Sequence, residues 1–254
     1  MPDELDETAE RAYWDTIADQ PDRLPGGWRR HARAQHLDLV ERWVGAPTGR
    51  WLKTDLFEER DHDRAVLPHL PSAAWVAMDL SPEVVRRGGA ARPVAADVRR
   101  LPFPTGSFDG VLSTSTLDHF DRPQEIVRSL VELERVLRPG GLLVLTLDNP
   151  GNPLVRARNA LPPALARRTG LVPFSVGATF GEAEGRRALT GAGFDVVDTT
   201  HLLHAPHVVG TRLAAWRWYE HRVLPRFARL SHTRTARWTG HFVAFLARAE
   251  GAAR

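Results

Sequence analysis

The stretch WVAMDLSPEVVRR, residues 75–87, changes character halfway along. An apolar run ends in Asp79. Ser81 then suits a helix N-cap, Pro82 the first helical position, and Glu83 the positive end of the helix dipole. The stretch therefore reads as a buried strand turning sharply into a helix. A carboxylate at a strand's carboxyl end lies where open α/β sheets bind ligands, and it can accept both hydroxyls of a ribose. The same side chain could equally cap the turn.

Outward from this unit the pattern repeats. Asp97 ends a second short apolar run, at 94–96, and LPFPTGSFD (101–109) is a turn-rich connector. Further runs at 50–52, 109–113 and 142–147 complete a series of strands, with helical periodicity between them, as over 122–138. Strands alternating with helices predict crossover connections and a mainly parallel sheet. GLLVLTLDN (141–149) is apolar without alternation, as in a strand covered on both faces, and the Pro-Gly-Gly before it reads as a helix stop. Upstream, 4–20 and 28–43 read as helices joined by the turn PDRLPGG. After Asn149 a Pro- and Arg-rich segment interrupts the alternation. A helix at 182–191, a stop at Gly193, a strand at 194–200, a helix at 211–224 and a strand at 240–249 follow.

Composition bounds the chemistry. The 254 residues include no cysteine, which excludes disulfides, thiolate zinc sites and a cysteine nucleophile. No apolar run approaches the ~20 residues of a membrane-spanning helix. The acidic N-terminal stretch MPDELDETAE has no secretory signal pattern, so the expected compartment is the cytoplasm. The 34 basic residues comprise 33 arginines and one lysine, Lys53. Charge is divided unevenly: residues 1–149 carry a net −6 and residues 150–254 a net +9. A basic C-terminal part suits an anionic substrate or membrane surface, or is simply a set of solvated arginines.

Residues 75–148 resemble a class I S-adenosylmethionine-dependent methyltransferase of the small-molecule type. Four segments carry the likeness in order: the strand ending in Asp79 with LSPEVV, then AADVRRLPFPTGSFD, STSTLDHF and RVLRPGGLLVL. The resemblance implies an α/β fold, a Rossmann-like, doubly wound, mainly parallel seven-stranded sheet with N-terminal helices and a small lid insertion. It divides the chain into a helical extension, 1–45, and a methyltransferase-like domain, 46–254, with the lid at about 150–180. It implies S-adenosyl-L-methionine as cofactor. Asp79 and Leu80 would serve the ribose, Asp97 and Val98 the adenine, and Ser113 and Thr114 would lie nearby.

The chain leaves the family pattern at the first loop. Family members usually place a Gly-x-Gly-x-Gly turn there, whose missing Cβ atoms let backbone amides approach the methionine end of the cofactor. Here RWLKTDLFEE (50–59) contains no glycine, and Lys53, Thr54 and Asp55 stand in its place. In one reading Lys53 pairs with the cofactor's carboxylate and Asp55 with its ammonium or sulfonium. In another the site is degenerate. In the third, Lys53 and Asp55 pair with each other or cap the loop. The presence of Asp79 and Asp97 favours the first.

Methyl transfer to oxygen or nitrogen can need a base, and the candidates are His119 and Asp118 in TLDHF. His204 and His207, in the H-x-x-H-x-x-H run that begins at His201, are candidate substrate contacts; no metal site is expected from them. The aromatic and Arg-rich helix at 211–224 could lie on a membrane interface, or pack its rings on the sheet while arginine stems reach water. Packing is the expectation. The expected partners are a small-molecule acceptor, no nucleic acid and no integral membrane segment, and a homodimer stays open. The expected function is methyl transfer to a small organic acceptor under a lid. The rival is a non-catalytic regulatory or binding protein of the same fold.

Overall fold

The computed structural model describes residues 2–18, 24–89, 92–161, 177–206 and 213–251. Two helices, α1 (Pro2–Ala18) and α2 (Gly26–Val44), precede the sheet. The strands are β1 (Gly49–Lys53), β2 (Ala73–Asp79), β3 (Pro93–Ala95), β4 (Phe108–Thr114), β5 (Leu137–Asp148), β6 (Phe194–Leu202) and β7 (Phe242–Ala249). They form one seven-stranded sheet of order β3-β2-β1-β4-β5-β7-β6, in which β7 alone runs antiparallel to its neighbours. Helices α3 (Pro82–Arg87) and α4 (Pro123–Val136) lead from β2 and into β5, and α5 (Pro153–Asn159) follows β5. Helix α6 (Glu182–Gly191) leads into β6.

Local chemistry accounts for these boundaries. The Ser81 hydroxyl accepts from the Val84 amide at 3.1 Å, as the N-cap reading requires. At the start of α4, Pro123 occupies the first turn and the Glu125 carboxylate accepts from the Arg122 amide at 3.1 Å. Period-2 alternation in β5 splits its side chains between two cores. Leu143, Leu145 and Leu147 meet Ile126, Leu130 and Leu133 of α4, whereas Val144 meets Leu39 and Val40 of α2. Both faces of the central strands are thus covered, which is why GLLVLTL is apolar throughout.

Two expectations are corrected. The Pro-Gly-Gly segment does not separate α4 from its strand, because β5 begins at Leu137, directly after the helix. The pairing Phe108–Leu137 shifts to Gly110–Leu142, and Gly140, at φ +79°, absorbs the extra residues as a bulge. The helix expected over 211–224 is two short ones, α7 (Arg217–Arg222) and α8 (Leu224–Ala228). Pro225 offers no amide to the carbonyl of His221 and breaks the run there. A last turn, α9 (Ala236–Thr239), precedes β7. The rings of this region also divide: Tyr219 is buried with Trp28 and Leu224, while Trp216 and Trp218 are 56% and 57% exposed.

Candidate active site

A cleft of about 500 Å³ opens at the carboxyl ends of β1, β2 and β4. Glu10, Tyr13 and Trp14 of α1 and Trp28 and His36 of α2 form part of its wall. Its floor carries Thr54 and Asp55 after β1, Asp79 and Leu80 at the end of β2, and Asp97 and Val98 beyond β3.

The glycine-free loop after β1 is built around Lys53. Its side chain is wholly buried, and its ammonium donates to the Asp55 carbonyl at 2.9 Å and the Thr114 hydroxyl at 3.3 Å. The carboxylates of Asp55 and Glu59 each lie 3.9 Å away. Burial works against the ammonium's charge, but Asp55, Glu59, Glu58 and Asp79 outweigh it and raise its pKa. The Thr54 hydroxyl donates to Ser113 and also pairs with Thr116, each at 2.9 Å. Lys53, Ser113 and Thr114 therefore support the loop from beneath and do not line the cleft. The loop's own amides are engaged: Phe57 donates to the Asp55 carboxylate at 2.7 Å and Leu56 to the Asp79 carboxylate at 3.2 Å.

Asp79 also accepts from the Ser81 amide at 2.9 Å. Burial, with Asp55 close by, pushes its carboxyl up to about 7; burial likewise raises Asp55, against the pull of Lys53. Asp97 turns to Arg99, whose guanidinium bonds it at 2.7–3.0 Å and also reaches Glu125 at 2.7 Å and Glu10 at 2.6 Å. Arg99 thereby ties α1, α4 and the β3 loop together at the adenine end of the expected site.

Residues 64–145 match the family model described as a methyltransferase domain. This span contains β2 to β4 and the floor residues Asp79, Leu80, Asp97 and Val98. Residues 64–145 thus carry a methyltransferase domain. The ubiquinone/menaquinone biosynthesis C-methyltransferase of Ectopseudomonas mendocina is 44% identical over 63 residues, covering 24% of this chain and 23% of that protein. The malonyl-acyl-carrier-protein O-methyltransferase of Herminiimonas arsenicoxydans is 38% identical over 86 residues, 33% of this chain and 32% of that protein. The chain thus spans about a quarter to a third of the length of these relatives. Among solved structures, a possible histamine N-methyltransferase from Thermotoga maritima aligns with TM-score 0.57 and 18% identity, over 87% of this chain and 90% of that one. A putative methyltransferase from Haloferax volcanii gives TM-score 0.56 and 16% identity, over 94% and 96%. Both likenesses establish the fold.

The opposite half of the methyltransferase domain's cleft holds a second polar group. Asp118 is buried, and one carboxylate oxygen accepts from the Asp148 amide at 3.0 Å while the other has no partner. Burial and the neighbouring Asp148 push its carboxyl up to about 6. Asp148 is paired with Arg158, and its other oxygen lies 3.5 Å from the His241 ring. Burial pushes His241 down to about 3, with Arg158 adding to the effect. His36, on the cleft wall, is pushed down to about 4 by burial, with Lys53 contributing, and its Nε2 is buried without a partner. His119 lines the cleft edge-on to Trp14, ring centroids 4.9 Å apart. Two cleft residues, Ser115 and Leu203, hold positive φ angles of 49° and 55° despite their side chains, a backbone strain typical of functional sites.

Of the sequence-stretch candidates, Thr54, Asp55, Asp79, Leu80, Asp97, Val98, Asp118 and His119 meet at one cleft. His204 does not join them. Its ring is held by Thr239 at 2.8 Å and by the His201 carbonyl and Ser231 at 3.0 Å. His207 lies outside the described residues, as does 162–176 of the segment expected to form the lid. The sequence reading missed His36, Arg99, Asp148, Arg158 and His241. Asp148 closes the same kind of strand run as Asp79 and could have been found by that signal. His36, by its spacing with Leu39 and Val40, reads as part of the apolar face of α2 and carries no local signal of a site.

Proposed function

We propose that this protein transfers a methyl group from S-adenosylmethionine to a small organic acceptor bound in the same cleft. The observation that carries the reading is the meeting of Asp55 and Asp79 at the ends of adjacent strands in a domain of this family. Two half-buried carboxyls whose ionisation is held back are costly to keep side by side. The cost is offset when a cationic group binds between them, and the donor has both a sulfonium and an ammonium. The rest of the lining agrees, with eight carboxyl side chains against three arginines. In this reading the residues present fit the cofactor.

S-adenosylmethionine, when bound, supplies an electrophilic methyl group on sulfur. Asp79 would hold the ribose hydroxyls, Asp97 and Val98 the adenine, and Asp55 the cationic amino-acid end. Arg29 and Arg64, on the same wall, are already ion-paired, with Asp61 and Asp63 and with Glu58 respectively, so binding the cofactor's carboxylate there would compete with those acids. Lys53 acts through the loop and holds the Asp55 carbonyl. On the acceptor side, the unpartnered oxygen of Asp118 takes a proton from a hydroxyl or amine, and His119 with Trp14 shapes the wall. Alignment of donor and acceptor supplies the larger part of such catalysis. Both relatives leave the acceptor atom open, since one is named a C-methyltransferase and the other an O-methyltransferase.

The rival, a non-catalytic protein of this fold, draws support from one observation: the amides of Leu56 and Phe57 are already bonded, to Asp79 and Asp55. Calorimetric titration with S-adenosylmethionine and S-adenosylhomocysteine separates the two. Binding of the sulfonium compound that weakens tenfold or more in Asp79→Asn supports the proposal, about the worth of one charge-assisted hydrogen bond. Failure of either compound to bind at millimolar concentration overturns it.

A further inference from the structure

Three of the eight tryptophans are half exposed, and all three lie between residues 213 and 239: Trp216 at 56%, Trp218 at 57% and Trp238 at 49%. The same stretch carries six arginines, Arg217, Arg222, Arg226, Arg229, Arg234 and Arg237, every one exposed, and a single acid, Glu220. Glu220 is engaged by Arg30 of α2 at 2.7 and 2.8 Å. Leu154, at 61% exposure, lies in α5, whose N-cap Asn152 bonds the Thr239 carbonyl, next in sequence to Trp238, at 3.0 Å. Apolar rings of this size are seldom left in water without a partner.

We propose that residues 213–239, with Leu154, form a docking surface for an anionic phospholipid bilayer. Tryptophan and arginine together suit this interface: the indole bodies enter the acyl boundary while guanidinium groups meet phosphate. A second copy of the chain fits poorly, since an isologous contact would set six arginines against six. Nucleic acid shares the charge but offers nothing to an exposed leucine. The surface is also tied to the cleft. Tyr219, Ala214 and Leu224 pack on Trp28, with Leu24 alongside, and both Leu24 and Trp28 belong to the cleft wall. A bilayer held by this segment would therefore lie near that wall, and an apolar molecule dissolved in it would have a short path to the site. The docking does not depend on methyl transfer.

The test is co-sedimentation of the full chain with phosphatidylcholine vesicles containing phosphatidylglycerol, against pure phosphatidylcholine. Binding to the anionic vesicles only, weakened by salt, is the expected result. Arg222→Gln with Arg226→Gln should lower partitioning about tenfold or more, at ordinary values for each basic residue near a charged membrane. Trp216→Ala with Trp218→Ala should lower it similarly and reduce quenching by brominated lipid to what Trp238 alone gives, with the melting temperature retained. No binding to anionic vesicles, undiminished binding by both double variants, tighter binding to an oligonucleotide, or a dimer that buries these tryptophans would each overturn the proposal.

Discussion

Replacing Asp79 by asparagine should stabilise the ligand-free protein at alkaline pH, although the side chain is half-buried and hydrogen-bonded. Raising a carboxyl from 3.8 to about 7 corresponds to as much as about 4 kcal/mol against its ionised form. Asparagine removes that charge. It keeps one acceptor oxygen, where the carboxylate serves both the Leu56 and the Ser81 amides, so one amide loses its partner at about 1–2 kcal/mol. The difference is a gain of about 2 kcal/mol at pH 8, or roughly 4–8 °C in a chain of this size. The penalty is absent below the unfolded carboxyl's pKa, grows as pH rises towards about 7, and is complete above it. At pH 4 the variant should therefore be slightly less stable than the parent. Urea denaturation of both proteins from pH 4 to 8 measures this. A variant less stable than the parent at pH 8, or a difference that does not change with pH, would refute the account of Asp55 and Asp79 as mutually repelling carboxylates.

Lys53→Met should cost about 3–5 kcal/mol by urea denaturation at pH 7, since it leaves Asp55 and Glu59 buried beside no cation; an unchanged midpoint would contradict the supporting role given to the lysine. Arg158→Met should cost a similar amount by abandoning Asp148 next to His241, and should raise the pKa of Asp118, detectable by NMR titration. His36→Leu removes a buried, unpartnered nitrogen, so the melting temperature should hold or rise by a few degrees. A marked fall would show that the ring has a structural partner.

Much of the fold is legible because its signals are local. Ser81, Pro82 and Glu83 act within one turn of helix, and the apolar run of β5 reports directly that both faces are covered. The bulge at Gly140 is not local: it depends on where Phe108 of the neighbouring strand stops pairing. The same distinction applies to the site. Asp79 and Asp55 declare themselves by ending strands, whereas Arg99 gains its role from Glu10 and Glu125, 89 and 26 residues away. Which of the three readings of Lys53 holds is not legible in the sequence, because a strand pattern does not tell which way the last residue turns; the structure buries it beneath the loop against Asp55. The basic C-terminal part likewise left its location open. Its arginines between 217 and 237 face outward, and the cleft itself is rich in acid.

That only lysine gives the protein a built-in reporter. Apart from the α-amine, Lys53 is the chain's one primary amine, and it is shielded twice: by complete burial, and by carboxylates that keep it protonated and so non-nucleophilic. An amine-directed reagent can acylate it only when the loop after β1 opens. The rate of its modification thus times the opening of the cleft floor at that one site, with no label introduced and no competing lysine to subtract.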